Sequence, residues 1–138
     1  MLSERTKKGI EAVLKVEMRA NELGYIVSKP TTDCCRYDLI IDDGVSLKRV
    51  QVKYAGHKPF NAEGSVNVGF RKMSINGKSR PSYSRDEIDA IIVYIPAIDR
   101  LCYLPIDLVD GKQSINLRYA PSKNNQTARA FSCEQYFW

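Results

Sequence analysis

The chain has 138 residues, 43% of them hydrophobic and 27% charged, with a formal net charge of +5 and a pI near 9.0; that length suits one domain with its own core and is short for two. No apolar run approaches the ~20 residues of a membrane span, and Met1-Leu2-Ser3-Glu4-Arg5 lacks the apolar stretch of a secretion signal, so a cytoplasmic or nucleoid location is expected. Cys34, Cys35, Cys102 and Cys133 show no C-x-x-C spacing and His57 is the single histidine, which argues against zinc and for reduced, structural thiols.

Residues 3–23 read as a helix, with Ile10, Val13, Leu14, Glu17 and Met18 at i, i+3, i+4, i+7 and i+8, and Gly24 as its stop. Glu11 lies beside that stripe. Residues 25–28 form a short strand ended by Lys29-Pro30, and residues 37–42 and 47–54 form two more. If Asp43-Gly44 is a two-residue turn, Asp38 falls opposite Arg49, one pleat from Gln51 on the same face. Val66, Val68 and Phe70 alternate with Asn67, Gly69 and Arg71, giving a half-exposed fourth strand that carries amide and basic side chains outward. Residues 73–84, with Asn76-Gly77 and Arg80-Pro81, read as a polar loop. Residues 90–95 are continuously apolar and isoleucine-rich, the mark of a strand covered on both faces. Asp99-Arg100 turns the chain into its neighbour at 101–104, Pro105 starts a short helical turn, and residues 124–138 are expected to be helical around 128–131. The terminal Tyr136-Phe137-Trp138 should dock on the core or on a neighbouring subunit. The expected fold class is α/β: one domain, 1–138, with a helix first and a mixed central sheet after it.

Charge is unevenly placed. Between Tyr54 and Arg85 stand Lys58, Arg71, Lys72, Lys78, Arg80 and Arg85 against Glu63 alone, while elsewhere the two signs cancel. A basic segment at about 55–85, rich in Gly, Ser and Asn, is the footprint of a polyanion contact, with DNA or RNA the first candidates. Asn67, Arg71 and Lys72 on a strand could enter a major groove while Lys58, Lys78, Arg80 and Arg85 grip phosphates. A solvated basic loop is the plainer alternative, and His57 is a phosphate contact or nothing.

Gln51 and Lys53 share one face of a valine-rich strand, where a buried side chain would be ordinary. With Asp38 they put an acid, an amide oxygen and an ammonium at one point. That set suits a hard divalent cation and an attacking water, with Asp38, Gln51 and the Val52 carbonyl as oxygen ligands and Glu11 reaching the metal directly or through water. Lys53 would position or deprotonate the water and stabilise the developing charge. The bland readings are a turn acid for Asp38, a solvent-facing edge for Gln51 and Lys53, and a solvated helix face for Glu11. Asp42, Asp43, Asp86, Glu87 and Asp89 read as turn and cap residues, Tyr94 and Tyr103 as core.

The order helix-Glu, Tyr-Asp, Gln-Val-Lys resembles the PD-(D/E)XK phosphodiesterase superfamily. Gly9-Ile10-Glu11-Ala12, Arg36-Tyr37-Asp38-Leu39-Ile40 and Arg49-Val50-Gln51-Val52-Lys53 are similar to its small homing endonucleases encoded in group I introns, as are residues 83–94, Tyr103-Leu104-Pro105-Ile106 and Asn124-Asn125-Gln126. Tyr37 stands in place of the motif's proline, and Gln51 in place of its second acid, which removes one negative charge from the site. The resemblance implies a restriction-endonuclease-like core, a Mg²⁺ cofactor for which Ca²⁺ or Mn²⁺ can substitute, and site-specific cleavage of double-stranded DNA in intron homing. Because one such site cuts one strand, a double-strand break asks for at least two copies, and the resemblance favours a tetramer over a dimer. A Holliday-junction resolvase or restriction-type enzyme of the same fold, and an inactive nucleic-acid-binding module, are the alternatives.

Overall fold

The computed structural model describes residues 1–56, 63–70, 82–121 and 131–138. The chain opens with α1 (Glu4–Glu22), capped by the Ser3 hydroxyl, which accepts the Thr6 N–H at 3.1 Å. At its other end Gly24, at φ +76°, lets the Leu23 and Tyr25 amides return to Arg19 and Ala20 carbonyls at 3.1 and 2.9 Å. Then follow β1 (Ile26–Ser28), β2 (Leu39–Asp42), β3 (Leu47–Tyr54), β4 (Ser65–Gly69), β5 (Ala90–Ile95), β6 (Arg100–Pro105), α2 (Ile106–Val109), β7 (Ser114–Arg118), β8 (Phe131–Ser132) and a 3-10 turn, Cys133–Tyr136.

Five strands form one sheet in the order β1-β2-β3-β5-β6, with β3 and β5 parallel and the other pairs antiparallel. The expected mixed α/β architecture is therefore observed. Every residue of β5 is buried, as its unbroken apolar sequence requires. On one face of the sheet, Ala12 and Val16 of α1 pack against Leu39, Ile41, Val50, Val52 and Ile92. On the other, Ile91, Val93, Ile95, Cys102 and Leu104 pack against a three-stranded sheet, β4-β7-β8, through Val66, Val68, Phe70, Ile115 and Leu117. Among the described residues no helix is long and apolar enough to cross a membrane.

Several expectations are corrected. α1 does not bury the stripe through Ile10, Leu14 and Met18; these are 44%, 55% and 55% exposed, and the buried line is Ala12, Val16 and Ala20. Small side chains win that face because they let the helix lie close to the sheet. β4 leaves the central sheet and pairs with β7, a strand that sequence periodicity did not single out. Phe131 lies in β8, parallel to Leu117, not in a helix, and residues 122–130, with Asn124, Asn125 and Gln126, lie outside the described residues. The C-terminus docks on β6 as expected: the Trp138 amide donates to the Leu101 carbonyl at 3.0 Å, Phe137 lies under the Arg100 guanidinium and Trp138 beside Tyr103. Cys102 and Cys133 are buried free thiols in contact, which pushes the Cys102 thiol far above its ordinary range.

Candidate active site

The β2–β3 hairpin sets the site, and its register differs from the expected one. Asp42 pairs with Leu47 and Leu39 with Val50, leaving a four-residue loop, Asp43 to Ser46, in place of a two-residue turn. The Asp43 carboxylate builds that loop by accepting the Val45 and Ser46 amides at 2.9 and 2.7 Å, which also holds its pKa below the ordinary carboxylate value. Gly44 takes φ +83°. The slip is by two residues, so no side chain changes face. Asp38 moves from opposite Arg49 to opposite Gln51, closer to the amide than expected.

β2 ends at Leu39, whereas β3 runs on to Tyr54, and the Asp38 side chain occupies the space where the strands part. Its amide still pairs with the Val50 carbonyl at 2.9 Å, and its Oδ2 accepts the Val52 N–H at 2.8 Å. Gln51 Nε2 donates to the same Asp38 Oδ2 and, at 3.2 Å, to the Val52 carbonyl. A hydrogen-bond donor thus sits between two hard oxygens.

Lys53 follows on the same face. Burial lowers its pKa, the Asp38 carboxylate raises it, and Arg36 and Arg5 lower it again. Its Nζ stands over the Tyr83 ring, 5.4 Å from the centroid, and the Arg36 guanidinium stacks on that ring at 4.5 Å. Tyr83 is buried and packs edge-on to Phe70 of the second core. Arg36, whose side chain is only 11% exposed, also reaches Glu87 at 3.7 Å.

Sequence reading did not single out Arg36 or Tyr83 for a role in this site. Both lie in segments without a secondary-structure period, so no rule of spacing brings them to Lys53. Asp89, read as a cap, instead clamps Arg49: its carboxylate accepts the Arg49 amide at 2.7 Å and the guanidinium at 3.1 Å, which draws its pKa down. Arg49 faces Asp89 only because β3 and β5 are parallel neighbours.

The remaining expected residues are placed as follows. Glu11 is exposed on α1 and acts on Tyr94; the charges acting on Lys53 are Asp38, Arg36 and Arg5. The structure brings Asp38, Gln51 and the Val52 amide and carbonyl together, with the Asp38 charge acting on Lys53 beside them. Asn67 donates to Asn116 across the β4–β7 pair at 2.7 Å. Arg85 is held by Asp107 and Asp110 at 3.2 and 3.3 Å. His57, Lys58, Arg71, Lys72, Lys78 and Arg80 lie outside the described residues.

A mixed sheet backed by its first helix thus carries an acid, an amide and a lysine on its opposite face, where two strands part. The family model for PD-(D/E)XK endonuclease matches residues 3–137, and the chain belongs to that family. Among solved structures it is similar to a bacterial homing endonuclease, I-Ssp6803I, at 22% identity and a TM-score of 0.76, over 98% of this chain and 89% of that one. A more distant likeness is to Hjc of Archaeoglobus fulgidus, a Holliday junction resolvase, at 10% identity and a TM-score of 0.49, over 80% of this chain and 84% of that one. No curated protein matches the sequence. At 22% identity the likeness to the homing endonuclease is one of fold.

Nucleases of this family generally use divalent metal ions. The donors fit one: the Asp38 carboxylate and the Val52 carbonyl converge on a single hydrogen-bond donor, the Gln51 amide, whose rotation by half a turn would present its oxygen in place of its nitrogen. No group of three or more His, Cys, Asp or Glu side chains placed to hold a metal ion occurs among the described residues.

Proposed function

We propose that this protein is a Mg²⁺-dependent endonuclease that makes site-specific breaks in double-stranded DNA, acting in intron homing within the cytoplasm and nucleoid. The observation that carries this reading is the convergence of Asp38, Gln51 and the Val52 carbonyl on one point, with the desolvated Lys53 on the same face. Asp38, Gln51 and Val52 would hold the ion, with Glu11 reaching it directly or through water, and Ca²⁺ or Mn²⁺ able to replace Mg²⁺. The bound ion would supply polarisation of the phosphate and acidification of a water. Lys53, its pKa lowered by burial, takes the proton of the attacking water and then sits as a cation beside the charge that develops on the phosphate. Arg36, stacked on the same tyrosine, adds a second positive charge where a phosphate would lie. The basic segment at 55–85, with Lys58, Arg71, Lys72, Lys78 and Arg80, supplies the DNA contacts of the same 1–138 domain; Arg85, engaged by two acids, and Asn67, engaged by Asn116, contribute least.

The test is digestion of host genomic DNA with and without Mg²⁺, followed by sequencing of the ends. A single long target cut on both strands, with synthetic four-way junctions left intact, supports homing; cleavage of junctions alone supports a resolvase. Asp38→Ala and Lys53→Ala should each abolish cleavage while DNA affinity stays within about tenfold, because phosphate contacts dominate binding. Gln51 in place of an acid favours one other reading, a binding module without activity, which metal-independent binding and no nicking by wild type would support.

A further inference from the structure

Of the four cysteines, two meet in the core. Cys102 stands within β6 and Cys133 opens the 3-10 turn near the end of the chain; both are 0% exposed and belong to the same buried cluster. Both are free thiols, and they hydrogen-bond to each other. A lone buried thiol serves as a small apolar side chain and needs no partner. A facing pair is different, because two sulfurs in contact can give up their protons and form a bond. The two are also unequal. Cys102 donates its S–H to Cys133, which raises the Cys102 thiol above its ordinary range and draws Cys133 below it, so Cys133 is the first of the pair to become a thiolate. Cys133 belongs to the end of the chain, which is fastened to the sheets at few points. Phe131 and Ser132 pair with β7, Phe137 bridges Cys102, and the Trp138 amide reaches the Leu101 carbonyl at 3.0 Å. A short terminal piece of this kind opens at lower free energy than the sheet beneath it.

We propose that Cys102 and Cys133 are a peroxide-oxidisable pair whose disulfide ties the C-terminal segment 131–138 to β6. Hydrogen peroxide, close to water in size, is the oxidant such a buried site admits. The Cys133 thiolate attacks one peroxide oxygen; an S–O bond forms, the O–O bond breaks, and the departing hydroxide takes up the proton that Cys133 released, as water. The Cys102 sulfur then attacks the Cys133 sulfenic acid, forming S–S as S–O breaks, and that hydroxide leaves with the Cys102 proton as a second water. Two thiols have lost two electrons, and one peroxide has become two waters. A dithiol reductant reverses the bond by exchange. Oxidation closes a loop over residues 103–132, which carry α2, β7 and β8, and a closed loop stabilises the fold chiefly by restricting the unfolded chain. Neither cysteine lies on β2 or β3, so the inference does not need the nuclease reading.

The test is peroxide treatment of the full chain carrying Cys34→Ser/Cys35→Ser, which leaves the pair as its only cysteines. Remaining thiols are alkylated in denaturant, and the chain is digested with trypsin without reductant. Peptides 101–112 and 130–138 should be recovered joined, two hydrogens lighter than their sum, and the same joined peptide should form in the wild-type chain. The melting temperature should rise by about 5–10 °C and fall back on treatment with a dithiol. Added to that background, Cys102→Ser should leave Cys133 as a sulfenic acid that dimedone traps, whereas Cys133→Ser should leave Cys102 unmodified. Both cysteines recovered alkylated, both carried on to sulfinic acid with no joined peptide, or a joined peptide without a rise in melting temperature would overturn the inference, as would trapping at Cys102 equal to that at Cys133.

Discussion

Lys53 is an amine that burial and two neighbouring arginines keep from holding its proton as firmly as a surface lysine does. If it acts as the base, the acidic limb of the cleavage rate lies below the ordinary lysine pKa of about 10.4. Arg36→Gln removes a like charge and should move that limb to higher pH. Arg36→Lys keeps the charge and should leave it in place, so a pH profile of the single-turnover rate separates the electrostatic role from mere packing on Tyr83. Gln51 offers the complementary experiment. Gln51→Glu removes the donor that joins Asp38 to the Val52 carbonyl and adds a second negative charge. The expected outcome is a lower Mg²⁺ concentration at half-maximal rate, together with a lower melting temperature in the presence of chelator, since two carboxylates then face each other without a cation.

At the scale of elements, the fold depends on two close fits. α1 lies near the sheet because Ala12, 1% exposed, faces it; Ala12→Leu should cost about 1–3 kcal/mol by overpacking, read as a lower urea midpoint. β3 and β5 are tied at their starts by Arg49 and Asp89, and Asp89→Ala leaves the half-buried Arg49 amide without its acceptor, for about 1 kcal/mol. The pH dependence follows from the lowered pKa of Asp89. Its stabilisation is complete above the ordinary carboxylate value of about 3.9 and is lost as pH falls through the lower folded value. The stability gap between wild type and Asp89→Asn should therefore be full at pH 7 and close below about pH 4, as urea titrations at each pH would show.

For the whole molecule, the sheet carries different chemistry on its two sides. The second sheet covers β5 and β6 with an apolar core, while the same side of β2 and β3 carries Asp38, Arg49, Gln51 and Lys53. Under the proposed function each chain cuts one strand, so dilution below the dissociation constant of the assembly should let nicked circles accumulate ahead of linear product on a plasmid bearing the target. At concentrations well above it, linear product should appear directly. Arg71→Ala and Arg80→Ala should each weaken DNA binding and flatten its dependence on salt by about one charge.

Local rules of sequence determined a good part of this protein. The span of α1 follows from Ser3 and Gly24, the burial of β5 from its unbroken apolar run, and the shared face of Gln51 and Lys53 from the period of a strand; each depends on near neighbours along the chain, whose geometry the backbone dictates. Only the tertiary structure decided which side of α1 meets the sheet, because alanine at close approach can outweigh leucine in a pattern that reads only hydrophobicity. It also decided that β4 belongs to a second sheet, that Asp89 holds Arg49, and that Arg36 and Tyr83 surround Lys53. Those contacts join residues tens of positions apart, and their distances depend on strand order and packing, which no local period records.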